Sequence, residues 1–168
     1  MNFVGARLVL ARLNEMSEKL YTRKNSLRLE HFDYASCRVY FVTIVVSNKR
    51  TLFYNREFAK AIVECLLNLR EKVKFNLYEY CLMPDHFHAL IGAGKSNKTL
   101  GQICGAIKSI STRVYWKIGK GQFWQCGYHD HIIRNETDFF ECLKYIKENP
   151  LKKNLDDWEF VGRVDYLK

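Results

Sequence analysis

The chain has 168 residues, 48% of them hydrophobic and 14% aromatic, which suits one packed globular domain. No apolar run reaches the roughly 18 to 20 residues of a membrane-spanning helix, and the N-terminal "MNFVGARLVLARLNEM" lacks a continuous apolar core and a small-residue cleavage site, so a soluble, cytoplasmic protein without membrane association is expected. The net charge of +9, from 27 Lys and Arg against 18 Asp and Glu, favours a polyanionic partner, because neutralising phosphates releases condensed counterions.

In chain order, residues 1–26 read as a leader or extra helix and 27–168 as a single domain. "CRVYFVTIVVSN" is dense in β-branched and aromatic residues and reads as a central strand. "NREFAKAIVECLLNLREKV" places Phe58, Ile62, Cys65, Leu66 and Leu69 at helical spacing behind an Asn cap. "KFNLYEYCLMPDHFHALIGAG" reads as two strands joined near Met83-Pro84-Asp85, since Pro denies the ladder one N–H and favours a turn. A second amphipathic helix follows, with Leu100, Ile103, Ile107, Ile110 and Val114 on one face and Lys108, Arg113 and Lys117 elsewhere. Gly119 and Gly121 break that pattern before "FWQCGYHDHIIRN", a loop leading to a short strand near Arg134. A last helix begins at about Glu136, with Phe139, Phe140, Leu143 and Ile146 as its apolar positions, and stops before Pro150. This order predicts an α+β sandwich, ferredoxin-like in broad type, with helices packed on a central antiparallel sheet. The six cysteines are spread out with no CxxC pair, and most are expected to be small buried residues in a reducing compartment.

Chemistry concentrates in "YCLMPDHFHALIG". Side chains alternate along a strand, so His86 and His88 share one face and can converge on a metal ion while Phe87 points to the opposite, core side. Histidines so spaced also occur on exposed edges without any metal. Here the flanks Leu82, Met83, Leu90 and Ile91 indicate a buried strand, where imidazoles need partners. His129 and His131 repeat the spacing, but a shared metal would turn Asp130 to the core, so that pair reads better as surface or DNA-facing. In "KYIKENP", Tyr145 and Asn149 lie four residues apart, on one face of the last helix. Alone, that pattern is more often a packing residue followed by a cap.

Together, "MPDHFHALI", "FWQCGYHDHIIRN" and "YIKENPLKKNL" resemble the single-tyrosine transposases of the HUH superfamily, and within them the REP-associated tyrosine transposases of the IS200-like family. The resemblance implies an RRM-like or ferredoxin-like domain over residues 27–168, with the catalytic tyrosine on a C-terminal helix. It implies that His86, His88 and Asn149 bind Mg2+ or Mn2+ and that Tyr145 cleaves and rejoins single-stranded DNA near hairpins through a 5′-phosphotyrosine, in DNA transposition or REP-hairpin processing. Many insertion-sequence members carry Gln where Asn149 stands; an amide oxygen remains, on a shorter arm. Tyr128 is the competing nucleophile. Lys108, Arg113, Lys117, Arg134, Lys144, Lys152 and Lys153 are candidate phosphate contacts, and Trp124 or Tyr128 a candidate stacking platform for an unpaired base. Both homodimers and monomers fit the family, with the tyrosine acting in either its own or a partner's site. A noncatalytic nucleic-acid-binding module that kept the fold is the alternative, and a hydrolase using activated water would need a carboxylate base, for which Asp85 is ill placed.

Overall fold

The computed structural model describes residues 38–164, so the expected N-terminal leader lies outside the described residues. Five strands form one sheet: β1 (Val39–Val45), β2 (Asn76–Met83), β3 (His86–Gly92), β4 (His129–Ile132) and β5 (Val161–Arg163), in the order β4-β1-β3-β2-β5. Every neighbouring pair is antiparallel. The first four strands, with helix α1 (Arg56–Val73) between β1 and β2 and α2 (Leu100–Tyr115) between β3 and β4, make the ferredoxin-like βαββαβ arrangement. Helix α3 (Glu136–Glu148) and β5 extend it.

Local signals account for the elements. Asn55 caps α1 by accepting from Phe58 N, and Thr99 and Gln102 form a reciprocal capping box at α2. Asn135 caps α3 by accepting from Asp138 N. The Pro84-Asp85 turn joins β2 to β3, as the proline suggested.

The sheet carries an apolar layer on each face. Tyr40, Val42, Ile44, Phe87, Ala89 and Ile91 pack with Phe58, Ile62, Leu66, Ile103 and Ile107 of α1 and α2. On the other face Val39, Cys81, Met83 and Leu90 meet Ile133 and the α3 residues Phe139 and Ile146. Phe140, expected on the apolar side of that helix, is 46% exposed instead. Its neighbour Phe139 fills the core position, and a single 13-residue helix lying on this face of the sheet buries only a narrow stripe.

Residues after Asn154 carried no sequence expectation, yet they close the β2 edge. Trp158 Nε1 donates to Leu82 O at 2.7 Å, and Arg163 Nε donates to the buried Glu79 carboxylate at 2.9 Å. A Cβ on Gly162 would come within 2.7 Å of the Tyr80 ring, so β5 can lie against β2 only with glycine there. Of the described cysteines, Cys65, Cys81 and Cys104 are buried and free, Cys126 is free and exposed, and Cys142 is free and half-buried. Among the described residues no helix is long and apolar enough to cross a membrane.

Candidate active site

β3 is a central strand with a ladder on both sides, so the orientation of its histidines follows from backbone register. Thr43 pairs with His88 and Val45 with His86, which puts all of these side chains on the α3 face, while Phe87 enters the α1/α2 core. The shared face expected from the His-x-His spacing is thus observed. The two Nε2 atoms lie 2.9 Å apart.

Each ring is held from behind. His86 Nδ1 is 2.5 Å from Asp85 Oδ1, and His88 Nδ1 is 2.8 Å from Thr43 Oγ1. When both Nδ1–H groups donate to these oxygens, both Nε2 lone pairs point into the same space, a disposition that a bound cation relieves. Two nitrogens held as adjacent ligands of one octahedral ion, at about 2.1 Å each, would be about 3.0 Å apart. The spacing fits a shared divalent metal. Burial, reinforced by the neighbouring His86, pushes His88 down from 6.5 to about 3, so its imidazole stays neutral and able to ligate.

Tyr145 comes to this pair from α3. Its ring centroid is 5.5 Å from that of His88 in the same chain, and 5.7 Å from Phe41, which itself stacks on His88 at 5.2 Å. The tyrosine is 43% exposed, and Lys152 Nζ sits 5.5 Å from its ring centroid. Asn149, the C-cap of α3, is buried one turn further on. The sheet and α3 therefore bring His86, His88 and Tyr145 into one cluster, with Asn149 on the same helix. Thr43 was missed by sequence reasoning, and its only signal is the β1–β3 register.

Tyr128 lies on the other side of the sheet. It packs against the α1/α2 core, and its hydroxyl is buried. Trp124, expected to stack on a base, is also buried, with its indole N–H donated to Ser111 Oγ at 2.8 Å. This corrects that expectation: its ring is enclosed by Phe53 and Phe123. Lys108 differs too. Its ammonium donates to Gln125 O and, at 2.8 Å, to Gly127 O, so it fastens the loop before β4. Arg113 and Lys117 are exposed near the end of α2, beside a cleft of about 480 Å³ lined by Thr112, Trp116 and Gln122. Arg134, Lys144, Lys152 and Lys153 are exposed on the α3 side, with Lys144 and Lys152 near Glu148 at 3.8 and 3.4 Å. The candidate DNA contacts thus divide between two sides of the molecule. His129 and His131 face the α3 side as a pair, paired in register with Thr43 and Phe41, because Asp130 at the edge strand need not be fully buried.

The chain is similar to several known proteins. The chain is 27% identical to an uncharacterized Haemophilus influenzae protein, over 76% of this chain and 88% of that one. It is 22% identical to the REP-associated tyrosine transposase of Escherichia coli K12, over 72% and 73% of the two chains. In three dimensions it is similar to a REP-associated tyrosine transposase solved bound to a REP hairpin, with a TM-score of 0.67 and 20% identity, covering 80% of this chain and 81% of that one. The family profile described as "Transposase IS200 like" matches residues 34–149, more than half the sequence, and the chain belongs to the IS200-like transposase family.

Proposed function

We propose that this transposase cleaves and rejoins single-stranded DNA with Tyr145 as nucleophile, in transposition or in processing of REP-type hairpins. The observation that carries the reading is the contact of a half-exposed tyrosine with a buried, neutral histidine whose Nε2 converges with a second one. A hard divalent cation, Mg2+ or Mn2+, held by His86, His88 and the Asn149 amide, supplies positive charge to the scissile phosphate when bound.

Tyr145 Oη attacks the phosphorus, the P–O3′ bond breaks, and the released O3′ takes up a proton as the phenol loses its own. The product is a 5′-phosphotyrosine and a free 3′-hydroxyl. The covalent link keeps the phosphodiester energy, so a second 3′-hydroxyl can attack it and restore a phosphodiester without a nucleotide cofactor. Asp85 and Thr43 hold the imidazoles in the ligating orientation, and Lys152 beside the phenol supplies a cation next to the attacked phosphate. Tyr145 and His88 of one chain already touch, which supports a site complete within a monomer. Arg134, Lys144 and Lys153 surround this side and suit the DNA backbone, and the solved relative bound to a REP hairpin supports a hairpin-bearing substrate.

Hairpin-bearing single-stranded DNA incubated with the protein and Mg2+ is expected to give a denaturant-stable protein–DNA adduct that is lost in Tyr145→Phe and in His88→Ala. No adduct with the wild-type protein sinks the mechanism, and an adduct persisting in Tyr145→Phe moves the nucleophile to another residue.

A further inference from the structure

We propose that His131, Asp138 and Cys142 form a second cation site, suited to a borderline-soft ion such as Zn2+, that ties strand β4 to helix α3. One candidate ligand atom from each of the three side chains lies within 4.8 Å of the others. His131 Nε2 is 2.9 Å from both carboxylate oxygens of Asp138, and Cys142 Sγ is 3.9 Å from Asp138 Oδ1. Ligands around a tetrahedral zinc, at bond lengths of about 2.0 to 2.3 Å, stand about 3.3 to 3.7 Å apart, so small side-chain rotations complete the set. The thiolate, imidazole and carboxylate leave a fourth position open to water.

The donors are positioned by independent elements. His131 is fixed by the β1–β4 ladder opposite Phe41. Asp138 belongs to the first turn of α3, where its carboxylate also accepts from Arg134 N at 3.1 Å, and Cys142 follows one turn later on the same face. His131 is half-exposed, so the cluster opens to solvent and an ion can enter. A thiol donor makes this set chemically unlike the His86/His88 pair, favouring zinc over magnesium.

Burial and the adjacent Asp138 carboxylate push the Cys142 thiol up to about 12 in the metal-free protein. A bound dication would reverse that balance by displacing the thiol proton to solvent, and His131 would ligate through Nε2 as the tautomer protonated at Nδ1. The ion would brace the start of the helix that carries Tyr145.

Co2+ titrated into the chelator-treated, full-length protein is the test. The wild type is expected to show the near-ultraviolet sulfur-to-cobalt charge-transfer band and the visible bands of a tetrahedral site. Both should be retained in the His86→Ala/His88→Ala double variant and lost in Cys142→Ser and His131→Ala. In the His86→Ala/His88→Ala background, where the first site is removed, Zn2+ should raise the Tm, and adding Cys142→Ser should abolish that rise with at least a tenfold fall in zinc affinity. Absence of the sulfur band from the wild type overturns the site, as does its persistence in Cys142→Ser, which would assign it to another thiol such as the exposed Cys126. Loss of the band in the double histidine variant would show that the thiol-ligated ion depends on His86 or His88 and also overturns the proposal.

Discussion

Thr43 and Asp85 touch no reacting atom in the proposed reaction, yet they decide where the imidazole lone pairs point. Thr43→Val keeps the shape and removes the oxygen 2.8 Å from His88 Nδ1. It is expected to weaken Mg2+ or Mn2+ binding by about 10- to 100-fold while leaving the fold intact, measured by metal titration alongside circular dichroism. His88 also gives the protein a pH signature. Its pKa lies near 6.5 in the unfolded chain and about 3 in the fold, so the unfolded state binds the extra proton between those values. The stability this histidine contributes is present above pH 6.5 and is lost as the pH falls towards 3. Denaturation in chelator across that window should show a steeper loss for the wild type than for His88→Gln; equal slopes would refute the assignment. The histidines themselves were legible from strand alternation. Thr43 was not, because nothing local in "YFVTIVV" says which strand it will face 45 residues away.

Among the elements, the helices were readable from amphipathic period, with an Asn cap read for the first, and Asn55, Thr99 and Asn135 all stand where a helix begins; the long strands were readable from β-branched and aromatic density. β5 was not readable, since three residues containing a glycine carry no period. Its place is set by contacts far away in sequence, the Gly162–Tyr80 approach and the Arg163–Glu79 pair. Arg163→Met should therefore cost about 2 to 3 kcal/mol in chemical denaturation, because it strands a carboxylate that is only 4% exposed. The double variant Glu79→Gln/Arg163→Met should recover part of that loss, and a single variant as stable as the wild type would show the pair to be idle. Lys108 and Trp124 were misread for a related reason. A lysine and a tryptophan near a basic helix look like DNA contacts in one dimension, but folding spends the first on backbone carbonyls and the second on the core.

For the whole molecule, the exposed candidate phosphate contacts are divided between the α3 side, with Arg134, Lys144, Lys152 and Lys153, and the α2 side, with Arg113 and Lys117. If DNA lies across the proposed active site, Arg134→Ala/Lys153→Ala should lower the slope of log affinity against log salt by about 1 to 2. Arg113→Ala/Lys117→Ala should change it less; the reverse ranking in fluorescence-anisotropy titrations would place the DNA along the α2 cleft. The two-faced sheet also explains why the site tolerates no compromise in pairing. β3 has ladders on both sides, and the Pro84-Asp85 turn sets its phase relative to β2 from the Met83–His86 pair as far as the register shift between Leu77 and Glu79. Adding or deleting a single residue in that turn, with the hydrogen bonds re-formed, would exchange the faces: Phe87 would project to the tyrosine and both histidines would enter the α1/α2 core. A change of two residues would preserve the faces and shift the histidines along the strand. The proposed catalytic arrangement is thus written partly as parity, and even and odd changes in the length of one short turn carry different meanings for it.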